Sequence, residues 1–117
     1  MAKIKWRGNE IKGHLDIDVA DCEDEFEGEI KKWKEILIHG DPEGLRSFAK
    51  LLIKIANLNQ ENETWLPVGA REHYHLRPNI ELGKSSEEVI VGRLDAKGTG
   101  DFYNSYVAKD AMEKIVL

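Results

Sequence analysis

One short run, Gly40-Asp41-Pro42-Glu43-Gly44-Leu45, limits the folds open to this 117-residue chain more than any other. An aspartate side chain can accept hydrogen bonds from the free amides of a first helical turn. Proline fits the first helical position because its fixed φ suits the helix and its missing N–H was not needed there. A glutamate in that turn complements the helix dipole. Beyond it Leu45, Phe48, Ala49, Leu52, Ile55 and Ala56 recur at three- and four-residue intervals, with Arg46, Lys50 and Lys54 opposite. The spacing predicts an amphipathic helix from about 42 to 57, ended by Asn57-Leu58-Asn59. No second helix of comparable strength exists to receive its apolar stripe, so that stripe must lie on a sheet.

The strands predicted for that sheet are short. Ile4 and Trp6 lead to a turn at Gly8-Asn9, and the chain returns through Ile11, Gly13, Leu15, Ile17 and Val19. These five share one strand face, and Lys12, His14, Asp16 and Asp18 share the other. Residues 27 to 34 fit no element clearly. Glu35 to His39 read as a third strand, whose Ile36-Leu37-Ile38 run predicts burial on both sides. Residues 59 to 70 read as a loop closed by Pro67 and Gly69. Glu72 to Arg77 form strand four, stopped by Pro78-Asn79, and Gly83-Lys84-Ser85-Ser86 turns the chain into strand five, Glu88 to Leu94. Strand five is apolar on both faces and is expected to lie centrally. The expectation is an α+β single domain over 1–117, a mostly antiparallel sheet of about five strands packed against one main helix. After Gly98-Thr99-Gly100, the aromatics Phe102, Tyr103 and Tyr106 are expected to close the core edge rather than stand exposed. Lys109 to Val116 could add a short C-terminal helix, with Ala111, Met112 and Ile115 facing in.

Charge distribution says more than net charge. Asp16, Asp18, Asp21, Glu23, Asp24, Glu25, Glu27 and Glu29 form a block with no Lys or Arg among them, placed on the outward face of a strand and in the loop after it. The rest of the chain is slightly basic, although the total is −5. Phosphates would be repelled by such a block, which argues against direct nucleic-acid binding. A basic partner would be attracted and steered. The plainer reading, a solvated acidic loop, stands beside it. No apolar run approaches the roughly 20 residues of a membrane helix, and MAKIKWRGNEIKG has no apolar core of a secretion signal. The one cysteine, Cys22, suits a reducing compartment. The cytoplasm is the expected location, and Asn62-Glu63-Thr64 is read as a chance glycosylation match.

Catalytic patterns are weak. Acids flanking Cys22 should raise its thiol pKa, Gly98-Thr99-Gly100 lacks the lysine of a phosphate loop, and Asp16 to Asp21 match only the first acids of a calcium loop. Arg71-Glu72-His73-Tyr74-His75-Leu76 is the strongest candidate. On a strand His73 and His75 share a face and could ligate a transition metal with His14 and Asp16. The alternative is strand surface, with Tyr74 and Leu76 in the core and both histidines turned toward solvent or a partner. The second is preferred, with no metal and no cofactor.

Three stretches, Ile38-His39-Gly40-Asp41-Pro42-Glu43-Gly44-Leu45, Glu72-His73-Tyr74-His75-Leu76 and Glu88-Val89-Ile90-Val91-Gly92-Arg93, resemble in order and spacing the immunity protein 32 family of bacterial polymorphic toxin systems. The resemblance spans roughly residues 36 to 95 and says nothing about the acidic block before it. It implies a small intracellular α+β protein that binds a cognate toxin, with no catalytic step and no cofactor. The expected activity is stoichiometric occlusion of the toxin, whose groove would be basic if it cuts nucleic acid. The eight acids are the first candidate contacts, and His73 and His75 the second. A metal-dependent His-x-His site and a general protein-interaction domain remain the alternatives, and oligomeric state stays open.

Overall fold

A computed structural model describes residues 11–110 of the chain. The helix α1 spans Pro42–Asn57, over the range that its capping chemistry predicts. Asp41 Oδ1 accepts from the Gly44 amide at 2.7 Å and from the His14 amide at 3.0 Å, while the Asp41 amide donates to the His14 carbonyl at 3.1 Å. The cap therefore also ties the helix to the segment that leads into the first strand. The buried seam is Gly44, Ser47, Leu51 and Ile55, turned from the expected stripe, and Leu45 and Leu52 stand half exposed. The reason is steric. A Cβ on Gly44 would overlap the His14 carbonyl oxygen, and one on Gly13 (φ +75) would sit 2.6 Å from the Gly44 nitrogen. Two glycines let helix and strand meet backbone to backbone at this face, so the helix turns it inward.

Strand β1 runs Leu15–Phe26 and strand β2 runs Glu29–Gly40. They pair antiparallel over their whole length, from Leu15↔Gly40 to Phe26↔Glu29. This corrects the expected arrangement in three ways. The acidic block, expected on a strand face and then in a loop, stays on β1 as far as Glu25, with Glu27 in the hairpin turn and Glu29 opening β2. Residues 29 to 34 are the first half of β2, and Glu35 to His39 are its continuation. Ile36 and Ile38 are 68% and 48% exposed rather than buried on both sides. The expected Ile4 and Trp6 strand with its Gly8-Asn9 turn lies outside the described residues, as does most of the expected C-terminal helix.

Strand β3, His73–Leu76, pairs antiparallel with β4, Val89–Gly92. The described residues thus hold four strands in two two-stranded sheets, not about five in one. The α+β class holds. Strand β4 is not central: Ile90 is 61% exposed, and the inner face is supplied by Val89 and Val91. No described helix is long and apolar enough to cross a membrane.

The described residues fall into two compact units, 11–58 with 73–92 and 59–72 with 93–110. The first has the core of Leu15, Ile17, Leu51, Ile55, Tyr74, Leu76 and Leu82, with Ile11, Phe48, Val89 and Val91 against it. Each fully buried aliphatic side chain contributes about 1.5–3 kcal/mol. Segment 83–87 covers the outer edge of β1: Gly83 N donates to Leu15 O at 2.9 Å and Glu87 N to Ile17 O at 2.8 Å. Arg77 Nη2 donates to the buried Glu81 carboxylate at 2.9 Å. Burial acts to raise the Glu81 pKa, but the hydrogen bonds from Arg77 outweigh it and hold the carboxyl below its usual range.

The second unit has little apolar interior, Leu66 and Ala96, and is knit by polar groups. Gln60 Nε2 donates to Asp95 O at 2.8 Å, and Gln60 Oε1 accepts from the Glu72 amide at 2.8 Å. Lys97 Nζ donates to the carbonyls of Glu63 and Leu66, both at 2.6 Å. Arg71 donates to Leu94 O and Asp101 O, both at 2.6 Å. The aromatics expected to close a core edge stand half exposed here. Arg71 lies 4.0 Å from the Tyr103 ring centre, and Phe102 meets Tyr106 edge to face. Loops joined by hydrogen bonds leave no apolar edge for those rings to close.

Candidate protein-interaction site

A strand rises about 3.4 Å per residue, so β1 and β2 make a ribbon on the order of 40 Å long. Only its base joins the core. Bonds from segment 83–87 reach no further than Ile17, and from Asp21 to Glu29 every residue but Cys22 is exposed. The outer part is an arm. At its tip Glu27 (φ 54) and Gly28 (φ 85) form the two-residue loop. Positive φ at both positions matches the right-handed twist of the strands, but favours Asn-Gly over Glu-Gly. Glu27 therefore occupies a left-handed conformation that its side chain does not relieve.

The eight acids separate by role. Asp16 belongs to the body: its carboxylate accepts from Ser85 Oγ at 2.6 Å and Ser86 Oγ at 2.7 Å. The Ser85 and then the Ser86 hydroxyl hold its pKa below the usual carboxylate range, with the charge of nearby His39 adding to them. Asp18 accepts from the Val19 amide. Asp21 pairs with Lys34 at 2.6 Å and Glu23 with Lys32 at 3.8 Å. Asp24 lies across from Lys31 and accepts from the Glu25 amide. Glu25, Glu27 and Glu29 cluster at the tip, where no ion pair to them occurs among the described residues.

Opposed residues of an antiparallel pair share a face, so the arm has two unlike faces. One bears the Asp21–Lys34 and Glu23–Lys32 pairs. The other bears Cys22 opposite Trp33, Asp24 opposite Lys31, and Phe26 opposite Glu29. Trp33 Nε1 donates to Glu35 Oε2 at 3.0 Å, which fixes the indole on the second face. Asp24, Phe26, Lys31 and Trp33 line a shallow hollow there. Burial first, then the hydrogen bond and charge of Glu35, push the Cys22 thiol pKa up. The expected direction holds, and Asp21 is a smaller contributor than Glu35. A thiol so placed is a poor nucleophile.

On β3 the alternation is as expected. Tyr74 and Leu76 are buried, while His73 and His75 are exposed. The two imidazoles lie 5.1 Å apart edge to face, and His75 Nδ1 is 3.8 Å from Glu88. His14, Asp16, His39 and Ser85 border a separate open depression. Among the described residues no group of three or more His, Cys, Asp and Glu could hold a metal ion.

Sequence reasoning misses Trp33 because residues 27 to 34 fit no element clearly, and Phe26 because it falls in the loop expected before them. The available signal is Gly28 in Glu27-Gly28, a residue suited to a tight hairpin turn, with the strand formers Phe26 and Ile30 on either side.

The model of the family described as immunity protein 32 matches residues 35–94, just over half of the chain. The chain belongs to the immunity protein 32 family. No curated protein and no solved structure matches it. The match begins at Glu35, so the outer part of the arm lies outside it.

Proposed function

We propose that this immunity protein neutralises a cognate toxin by binding it stoichiometrically, with the acidic arm as the principal contact and a basic groove on the toxin as its seat. Family membership supports the class of activity. The observation that carries the choice of surface is the arm itself, which holds the acids of its outer end, Asp24, Glu25, Glu27 and Glu29, away from the core. A ribbon of this reach enters a cleft that a flat sheet face would only cover. In a nuclease toxin, carboxylates would occupy the positions that substrate phosphates take. A stable complex of this kind buries roughly 1,600 Å² in total. Complementary charge speeds the encounter, which suits an inhibitor that must act before a lethal enzyme does. Inhibition by occupancy needs no turnover and no cofactor, and the working compartment is the cytoplasm.

The test is stopped-flow association with the cognate toxin, identified beforehand by affinity capture from the producing cell. Neutralising Asp24, Glu25, Glu27 and Glu29 together, as Asn and Gln, should slow association about tenfold or more at low salt and flatten its salt dependence. Association kinetics that keep their salt dependence in this variant would remove the arm from the binding reaction.

A further inference from the structure

We propose that the arm presents one particular face to its partner: the face of Cys22, Asp24, Phe26, Lys31, Trp33 and Glu35, with Trp33 and Phe26 as anchors in a basic cleft that has an apolar floor. The inference rests on the immunity reading and says which side of the arm makes contact.

The two faces offer a partner different things. On the first, Asp21 and Glu23 already face Lys34 and Lys32, and Glu25 stands opposite Ile30, which leaves three carboxylates beside two lysines. On the second, Asp24 stands opposite Lys31, Glu29 opposite Phe26 and Glu35 opposite Ala20, so three carboxylates share the face with one lysine. That face is the more acidic, and both aromatic rings of the outer arm are on it. Trp33 is 44% exposed and Phe26 64%, on a ribbon too thin to bury either. Binding energy concentrates in aromatic anchors that are buried on association. Trp33 is also held in place before any encounter, since Glu35 accepts its indole N–H. A side chain already fixed loses less conformational freedom on binding. The hollow between Phe26 and Trp33, beside Asp24, has room for a guanidinium or ammonium group against an aromatic ring.

Charge selects the occupant. A second copy of this chain would bring Asp24, Glu29 and Glu35 against their own counterparts. Among the described residues, none outside the ribbon lines the hollow. A basic protein surface answers both the carboxylates and the rings.

The experiment compares two variants of the full chain for binding to the captured cognate toxin, carried with its activity disabled. Trp33→Ser with Phe26→Ser should raise the dissociation constant at least about 30-fold, mainly through faster dissociation. Asp21→Asn, Glu23→Gln, Lys32→Gln and Lys34→Gln together should change it less than about fivefold. In a chain carrying Trp6→Phe and Trp65→Phe, the emission of Trp33 should shift to the blue in the complex. Equal losses in the two variants, or a Trp33 emission that does not move, would overturn the assignment of the face while leaving the immunity reading intact. If the unaltered chain forms no complex and gives no protection, that reading fails and this inference falls with it.

Discussion

At Gly44 two rules of helix chemistry conflict. In an exposed helix, alanine would be favoured over glycine by about 1 kcal/mol. Here the added methyl would overlap the His14 carbonyl, and crowding of a tight contact costs about 1–3 kcal/mol or more. Crowding should win: Gly44→Ala is expected to lower stability in urea denaturation, where propensity alone would raise it. The tip gives the opposite case. Glu27 holds a left-handed φ that asparagine tolerates better, so Glu27→Asn should raise stability by about 1 kcal/mol. Asp16, though part of the same acidic run, is bound to two serines. Asp16→Ala should lower the melting temperature and leave the salt dependence of toxin association unchanged, separating it from the acids of the arm.

The elements were legible in unequal measure. The helix could be read to the residue because its cap is local chemistry: Asp41, Pro42 and Glu43 act on the next turn and need no tertiary partner. Its buried face was legible only in part: Phe48 and Ile55 turn inward as the spacing predicts, whereas Gly44 gains its value only when the His14 backbone lies against it. The His73–Leu76 strand was legible in type and orientation, because alternation alone separates Tyr74 and Leu76 from the histidines. Strand β4 was misplaced for a related reason: Val89, Ile90 and Val91 are equally apolar, and sequence does not reveal that only one side of a two-stranded sheet is covered. Of the candidate site, the concentration of acid was visible but its form was not. The cross-strand lysines that divide the block become neighbours only in the register of the hairpin. Leu76, with no exposed surface, tests the core at this scale. Leu76→Ala should cost about 2–5 kcal/mol in chemical denaturation, whereas replacing the adjacent His75 by alanine should change stability by less than about 0.5 kcal/mol.

The molecule as a whole depends on carboxylates that are more acidic when folded. The Ser85 and Ser86 hydroxyls lower the pKa of Asp16, and the amides of His14 and Gly44 lower that of Asp41. Arg93 does the same for Asp95, and Arg77 overcomes burial to do it for Glu81. A group whose folded pKa is depressed adds stability that is complete above its unfolded pKa and lost as pH falls through the folded value. The melting temperature should therefore vary little with these groups above about pH 5 and decline as pH drops below about 4. A melting temperature unchanged between pH 5 and pH 3 would contradict those hydrogen bonds.

The thinness of the ribbon beyond Val19 has an evolutionary consequence. Side chains from Asp21 to Lys34 are exposed except at Cys22, so they can be rewritten without disturbing the scaffold that carries them. A lineage confronting a new toxin could exchange residues 20 to 36 like a key blade in an unchanged handle. A chimaera bearing a sister protein's blade should melt with the recipient and protect against the donor's enemy.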